Sequence, residues 1–100
     1  MYDMKNLTKL KKLRELAPEA FQGFVAFDEA VFKEGAIPVK YKELIAVAVG
    51  FATQCPYCIE VHSKKAKAAG ATEKELAETT LVAAALRAGG AVTHGTHTLE

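Results

Sequence analysis

No apolar run in this 100-residue sequence is long enough to cross a bilayer. The longest, residues 44–52, is about half of the ~20 residues that a spanning helix needs. Residues 1–12 carry basic side chains but lack the roughly 7–15-residue apolar core of a secretory leader. Neither sign of charge is in surplus: thirteen Lys and Arg stand against twelve Asp and Glu, a net charge of +1. Composition therefore gives no electrostatic case for nucleic acid or an anionic membrane as partner. Glycine-rich phosphate loops and haem-attachment motifs are missing, so no nucleotide, flavin or haem cofactor is expected. Repeats, low-complexity tracts and long linkers are also missing, and the reading is one domain over residues 1–100 of a cytoplasmic protein.

Cysteine is scarce too, and its placement is informative. The only two, Cys55 and Cys58, share one Cys-Pro-Tyr-Cys motif. A secreted disulfide scaffold spreads its cysteines to staple distant loops, whereas a bridge across two residues constrains little. The pair is therefore suited to redox chemistry or to a metal.

What the sequence does contain is helix. Half its residues are hydrophobic and a quarter charged, an ordinary globular balance. Within residues 6–16, Leu7, Leu10, Leu13 and Leu16 recur every third position, an amphipathic stripe. Pro18 suits the first turn of a second helix reaching about residue 33, with Phe21, Phe24, Val25, Val31 and Phe32 largely on one side. Gly35 stops it and Pro38 opens a third segment, residues 39–53. Beyond Glu43 that segment is apolar around most of its circumference, as in a helix buried on several sides or lying at a subunit interface. Pro56 begins a fourth helix that ends before Gly70. Thr72 and Glu75 form a capping box for a fifth, running through Leu76, Leu81, Val82 and Leu86. Gly89-Gly90 is expected to break or pinch that helix and leave a short sixth over residues 91–98. The fold class is all-α, with five to six helices. So apolar a chain of this size is expected to pair with copies of itself.

The third segment also reads as a strand by periodicity alone, and a Cys-Pro-Tyr-Cys between strand and helix is how a glutaredoxin-like site is built. That fold needs further strands and a cis-proline facing the thiols. No proline follows Pro56, and residues 66–87 are rich in the helix formers Ala, Glu, Lys and Leu.

Four residues carry the candidate chemistry: Glu43, Cys55, Cys58 and His62. Three residues apart at a helix start, the cysteines have Cα atoms about 5–6 Å apart, close enough for a disulfide. His62, four residues after Cys58, lies on the same face one turn on. Helix N-terminal amides favour a thiolate, and a neighbouring imidazole takes its proton or stabilises the anion. If the third and fourth helices pack antiparallel, Glu43 reaches the same face, where it fixes the tautomer of His62 and raises its basicity. The dipole favours Cys55 as the reactive thiol, and the imidazole favours Cys58.

Glu43, eleven intervening residues, Cys-x-x-Cys, three residues and then His62 together resemble the core motif of the AhpD-like alkylhydroperoxidases. That family shares an all-helical superfamily with the carboxymuconolactone decarboxylases. The resemblance spans roughly residues 35–95, including the Ala/Val run before the motif and Ala-Leu-Arg-Ala-Gly-Gly-Ala at 85–91. It implies that Cys58 takes the peroxide oxygen as a sulfenic acid, that Cys55 resolves it into a disulfide, and that Glu43 and His62 relay protons. It further implies a lipoyl or thioredoxin-like dithiol carrier as reductant, and assembly as a trimer or hexamer. AhpD itself has a histidine between its cysteines where this chain has Tyr57, and is about twice as long.

Rival readings remain. A lactone-acid decarboxylase belongs to the same superfamily, but such members generally lack the CxxC. A zinc site could draw on Cys55, Cys58 and His62 with His94 or His97, yet ligands crowded into eight residues of one helix poorly surround a tetrahedral ion. A non-enzymatic, redox-sensing oligomer is the third.

Overall fold

The computed structural model describes residues 2–100 and is all-helical over them. A 3-10 helix, Met4–Lys9, leads into α1 (Leu10–Leu16), followed by α2 (Pro18–Val31), α3 (Val39–Thr53), α4 (Pro56–Ala68) and α5 (Glu73–Gly95), with a last 3-10 turn at Thr96–Thr98. The strand reading of residues 44–52 is thereby excluded.

Local chemistry explains the boundaries. Pro18 stands in the first turn of α2, where its missing N–H costs nothing. Pro38 precedes α3, and the Glu34 carboxylate accepts from the Val39 amide at 2.8 Å. At the start of α5, Thr72 Oγ1 accepts from the Glu75 amide while the Glu75 carboxylate accepts from the Thr72 amide, the reciprocal box expected from these residue types. The other Glu75 oxygen lies 3.0 Å from Lys40 Nζ, tying the first turn of α5 to that of α3.

Two elements differ from expectation. The leucine stripe of residues 6–16 is divided, its first part wound as 3-10 helix and its second as α1. A three-residue repeat matches the 3.0-residue period of a 3-10 helix as well as one face of an α-helix. Gly89 and Gly90 do not break α5, which runs through both to Gly95 and leaves only a 3-10 turn of the expected sixth helix. Two glycines cost a helix interior about 1 kcal/mol each, and the Ala- and Leu-rich stretch before them carries the helix across.

α3 is the centre of the fold. It packs antiparallel against α4 and, on another side, against α5. Its buried positions Glu43, Leu44, Val47 and Gly50 form one stripe, facing a core that also includes Ala66 and Ala83. The α1–α2 pair stands apart: among the described residues α2 packs along α1 and meets α3 only at its C-terminal end, where Lys42 Nζ reaches the Val31 carbonyl. The result is elongated, 53 × 33 × 28 Å with a radius of gyration of 16.6 Å, where about 13 Å is usual for 100 residues. Phe24, Phe27, Val49, Val82 and Leu86 are each more than half exposed. The chain's accessible surface is 7687 Å², whereas a compact monomer of 10.8 kDa has about 5,500 Å².

Candidate active site

The site is built on the α3–α4 hairpin. α3 ends at Gln54, which takes the left-handed conformation (φ 57°, ψ 48°) uncommon for a side chain larger than glycine. That turn brings the Cys55 amide onto the Gly50 carbonyl at 3.0 Å and starts α4 at once. Cys55 is the N-cap of α4, and its Sγ accepts from the Cys58 amide at 3.2 Å. The two cysteines are joined as a disulfide with Cα atoms 5.3 Å apart, within the separation expected from their spacing. Both are half-buried.

α4 crosses close to α3 because Gly50 has no side chain. A Cβ built there would lie 3.3 Å from Cys58 Cβ and 3.4 Å from Ile59 Cγ1. Two turns earlier on α3 stands Glu43, 5% exposed, with its Oε1 2.6 Å from His62 Nδ1. This short contact supports a tautomer in which Nδ1 carries a proton and donates to the carboxylate, leaving Nε2 for other partners. Over the imidazole lies the ring of Phe32, with centroids 5.1 Å apart and planes within 16°.

The structure thus brings together Glu43 and His62, joins Cys55 to Cys58, and sets His62 one turn beyond Cys58 on α4. Tyr57, between the cysteines, turns toward the N-terminal segment. Its hydroxyl accepts from Asn6 Nδ2 at 2.9 Å and from the Asp3 amide at 3.3 Å, and its ring meets Tyr2 edge-on. His94 and His97 lie against each other at the end of the chain. Among the described residues no three His, Cys, Asp or Glu side chains gather as a metal-ion site, so the zinc reading gains no support. Also among them, no helix is long and apolar enough to cross a membrane.

Three contributors escape the sequence pattern. Phe32, which spacing sets among the apolar residues on one side of the second helix, covers His62. Lys42 carries no signal in the sequence pattern, and its Nζ donates to the carbonyls of Val31 and Lys33 at 2.7 and 2.5 Å. Gly50 looked like one small residue in an apolar run, and the only signal for it was a glycine inside a helix eight positions before Cys58.

An all-helical chain with a CxxC disulfide at a helix head and a part-buried Glu–His pair beside it defines the AhpD-like class. The chain belongs to the carboxymuconolactone decarboxylase family, whose family model matches residues 18–100. It is 47% identical over 76 residues to uncharacterised protein 4 in the cox locus of Paracoccus denitrificans, covering 76% of this chain and 68% of that protein. A crystal structure of a carboxymuconolactone decarboxylase family protein from Legionella pneumophila, in its apo form, superposes with a TM-score of 0.76 at 42% identity, covering 80% of this chain and 71% of that one. A crystal structure of a Methanobacterium thermoautotrophicum protein gives 0.83 at 40% identity, covering 88% and 99%.

Proposed function

We propose that this protein is a thiol-dependent hydroperoxide reductase in which Cys58 attacks, Cys55 resolves, and His62 with Glu43 moves the proton. One observation carries the reading: the short, part-buried Glu43–His62 pair stands on the same hairpin as a disulfide at the head of α4. In the reduced protein His62 takes the Cys58 proton, and the thiolate attacks the nearer peroxide oxygen. The O–O bond breaks, the alcohol leaves with a proton, and Cys58 becomes a sulfenic acid. Cys55 then attacks that sulfur, water leaves, and the disulfide forms. Two electrons from a dithiol carrier of lipoyl or thioredoxin-like type restore both thiols. A cytoplasmic setting fits, since thiol carriers there are kept reduced. Lactone-acid decarboxylation, the chemistry in the family's name, has no use for a thiol pair.

The excess of exposed surface, about 2,100 Å² over a compact monomer, supports a homo-oligomer. Obligate interfaces bury roughly 2,000–5,000 Å² in total, so a second copy covering α2 and the α3–α5 face accounts for the excess. A trimer or hexamer is the form suggested by the resemblance.

Trapping the sulfenic acid tests the assignment. Cys55→Ser, treated with one equivalent of hydroperoxide and a sulfenic-acid reagent, should carry the adduct on Cys58 by peptide mass spectrometry, while Cys58→Ser should leave Cys55 nearly unreacted. An adduct on Cys55 in Cys58→Ser, with Cys58 inert in the reciprocal variant, would reverse the roles and make the helix N-terminus the activating element.

A further inference from the structure

We propose that Phe32 is a positioning residue that fixes the plane of the His62 ring, and that Lys42 holds Phe32 in place. The inference rests on the reading of His62 as the acid–base group. A hydrogen bond from Nδ1 to Glu43 locates one atom of the imidazole, but the ring's terminal torsion is broad and leaves its plane free to swing about that contact. Where Nε2 points then depends on what lies against the ring face. Phe32 lies there, nearly parallel at 5.1 Å, within the range of an offset aromatic stack.

Phe32 is itself held at an unusual place. It is the C-cap of α2, a helix that packs along α1 and, among the described residues, meets α3 only at this end, so packing along the helix does not deliver it to the site. Lys42 does. Its ammonium donates to the carbonyls of Val31 and Lys33, the two residues flanking Phe32, and closes the last turn of α2 onto α3. Cations at a helix C-terminus are favoured there by the unpaired carbonyls. Lys42 and Glu43 are neighbours in α3, so one turn of that helix sets both constraints on His62: Glu43 directly at Nδ1, Lys42 through Phe32 at the ring face.

The test measures the second-order rate of Cys58 with hydroperoxide in reduced, full-length protein carrying Cys55→Ser. Phe32→Leu keeps apolar bulk without a flat face and should slow the reaction roughly two- to tenfold, the range an aromatic pair is worth. Phe32→Tyr, which keeps the ring, should restore the wild-type rate. Lys42→Met should slow it in the same direction and add nothing to Phe32→Leu. In the proton NMR spectrum, the His62 ring resonances should move downfield in Phe32→Leu, as the shielding of the stacked ring is lost, and return in Phe32→Tyr. A folded Phe32→Leu protein with unshifted His62 resonances and a wild-type rate, beside a slow His62→Ala, would overturn the proposal. So would a Phe32→Tyr protein as slow as Phe32→Leu. A His62→Ala protein as fast as wild type would overturn the acid–base reading instead, and the His62 resonances would still decide whether Phe32 holds the ring.

Discussion

Gly50→Ala is a small change with two opposed effects, and the structure sets their sizes. Inside α3, alanine improves helix propensity by about 1 kcal/mol over glycine. The new methyl, however, meets Cys58 Cβ at 3.3 Å, Ile59 Cγ1 at 3.4 Å and the Ile59 amide nitrogen at 3.5 Å, so α4 must retreat by a few tenths of an ångström. Overpacking a tight contact costs about 1–3 kcal/mol. The net expectation is a loss of roughly 0–2 kcal/mol, or up to about 10 °C in Tm for a chain of this size. The retreat moves Cys58 and stretches the 2.6 Å contact between His62 and Glu43. If a misplacement of about 1 Å costs about a hundredfold, three tenths costs about fourfold. Stopped-flow oxidation of Cys58 by hydroperoxide should show this loss, and differential scanning calorimetry the fall in Tm. A Gly50→Ala protein about 4 °C more stable than wild type, with an unchanged rate, would mean that propensity wins and that the close crossing at Gly50 does not govern the site.

Glu43→Gln keeps an acceptor for Nδ1 but removes the charge that strengthens the bond, so peroxide oxidation of Cys58 should slow about tenfold. His62→Ala should slow it by roughly 10²–10⁴, the range for a positioned acid–base group, and equal losses in a kinetic comparison would refute the division of roles. Thr72→Ala removes the α5 N-cap and should cost about 1 kcal/mol by urea unfolding. The Thr72 amide, with Lys40, holds the Glu75 carboxyl below its ordinary value of 4.5. Its contribution is thus present above that value and lost as the pH falls through the lowered one, so the stability difference between wild type and Glu75→Gln should shrink on acidification below about 4.5. Sedimentation equilibrium at micromolar concentration should show an oligomer that Val82→Asp dissociates, and a wild-type monomer would refute the assignment of the exposed face.

Much of this architecture is legible because proline and glycine punctuate it. Pro38, Pro56 and Gly70 mark the limits of α3 and α4, and the Thr72–Glu75 box marks the start of α5. Glu43 and His62 become neighbours once α3 and α4 are antiparallel, so their meeting follows from spacing alone. What stays hidden depends on tertiary placement. No propensity says that Gln54 takes a left-handed turn in place of a glycine, that two glycines lie inside α5, or that Phe32 leaves its helix stripe for an imidazole. Tyr57 is hidden for the same reason: its direction is set by Asp3 and Asn6, more than fifty residues away.

Glu43, Cys55, Cys58 and His62 all fall within twenty consecutive residues, on one hairpin closed at Gln54 and Cys55. Contacts between near neighbours in sequence need little chain to be gathered, and low contact order goes with fast folding. The thiols should therefore meet their acid–base pair early as the chain folds, before the more distant α1–α2 segment finds its cover. On the proposed reading, oxidation is then open to a newly made chain before any assembly, and an early encounter with peroxide would leave a bridge between residues three apart, which constrains later folding little.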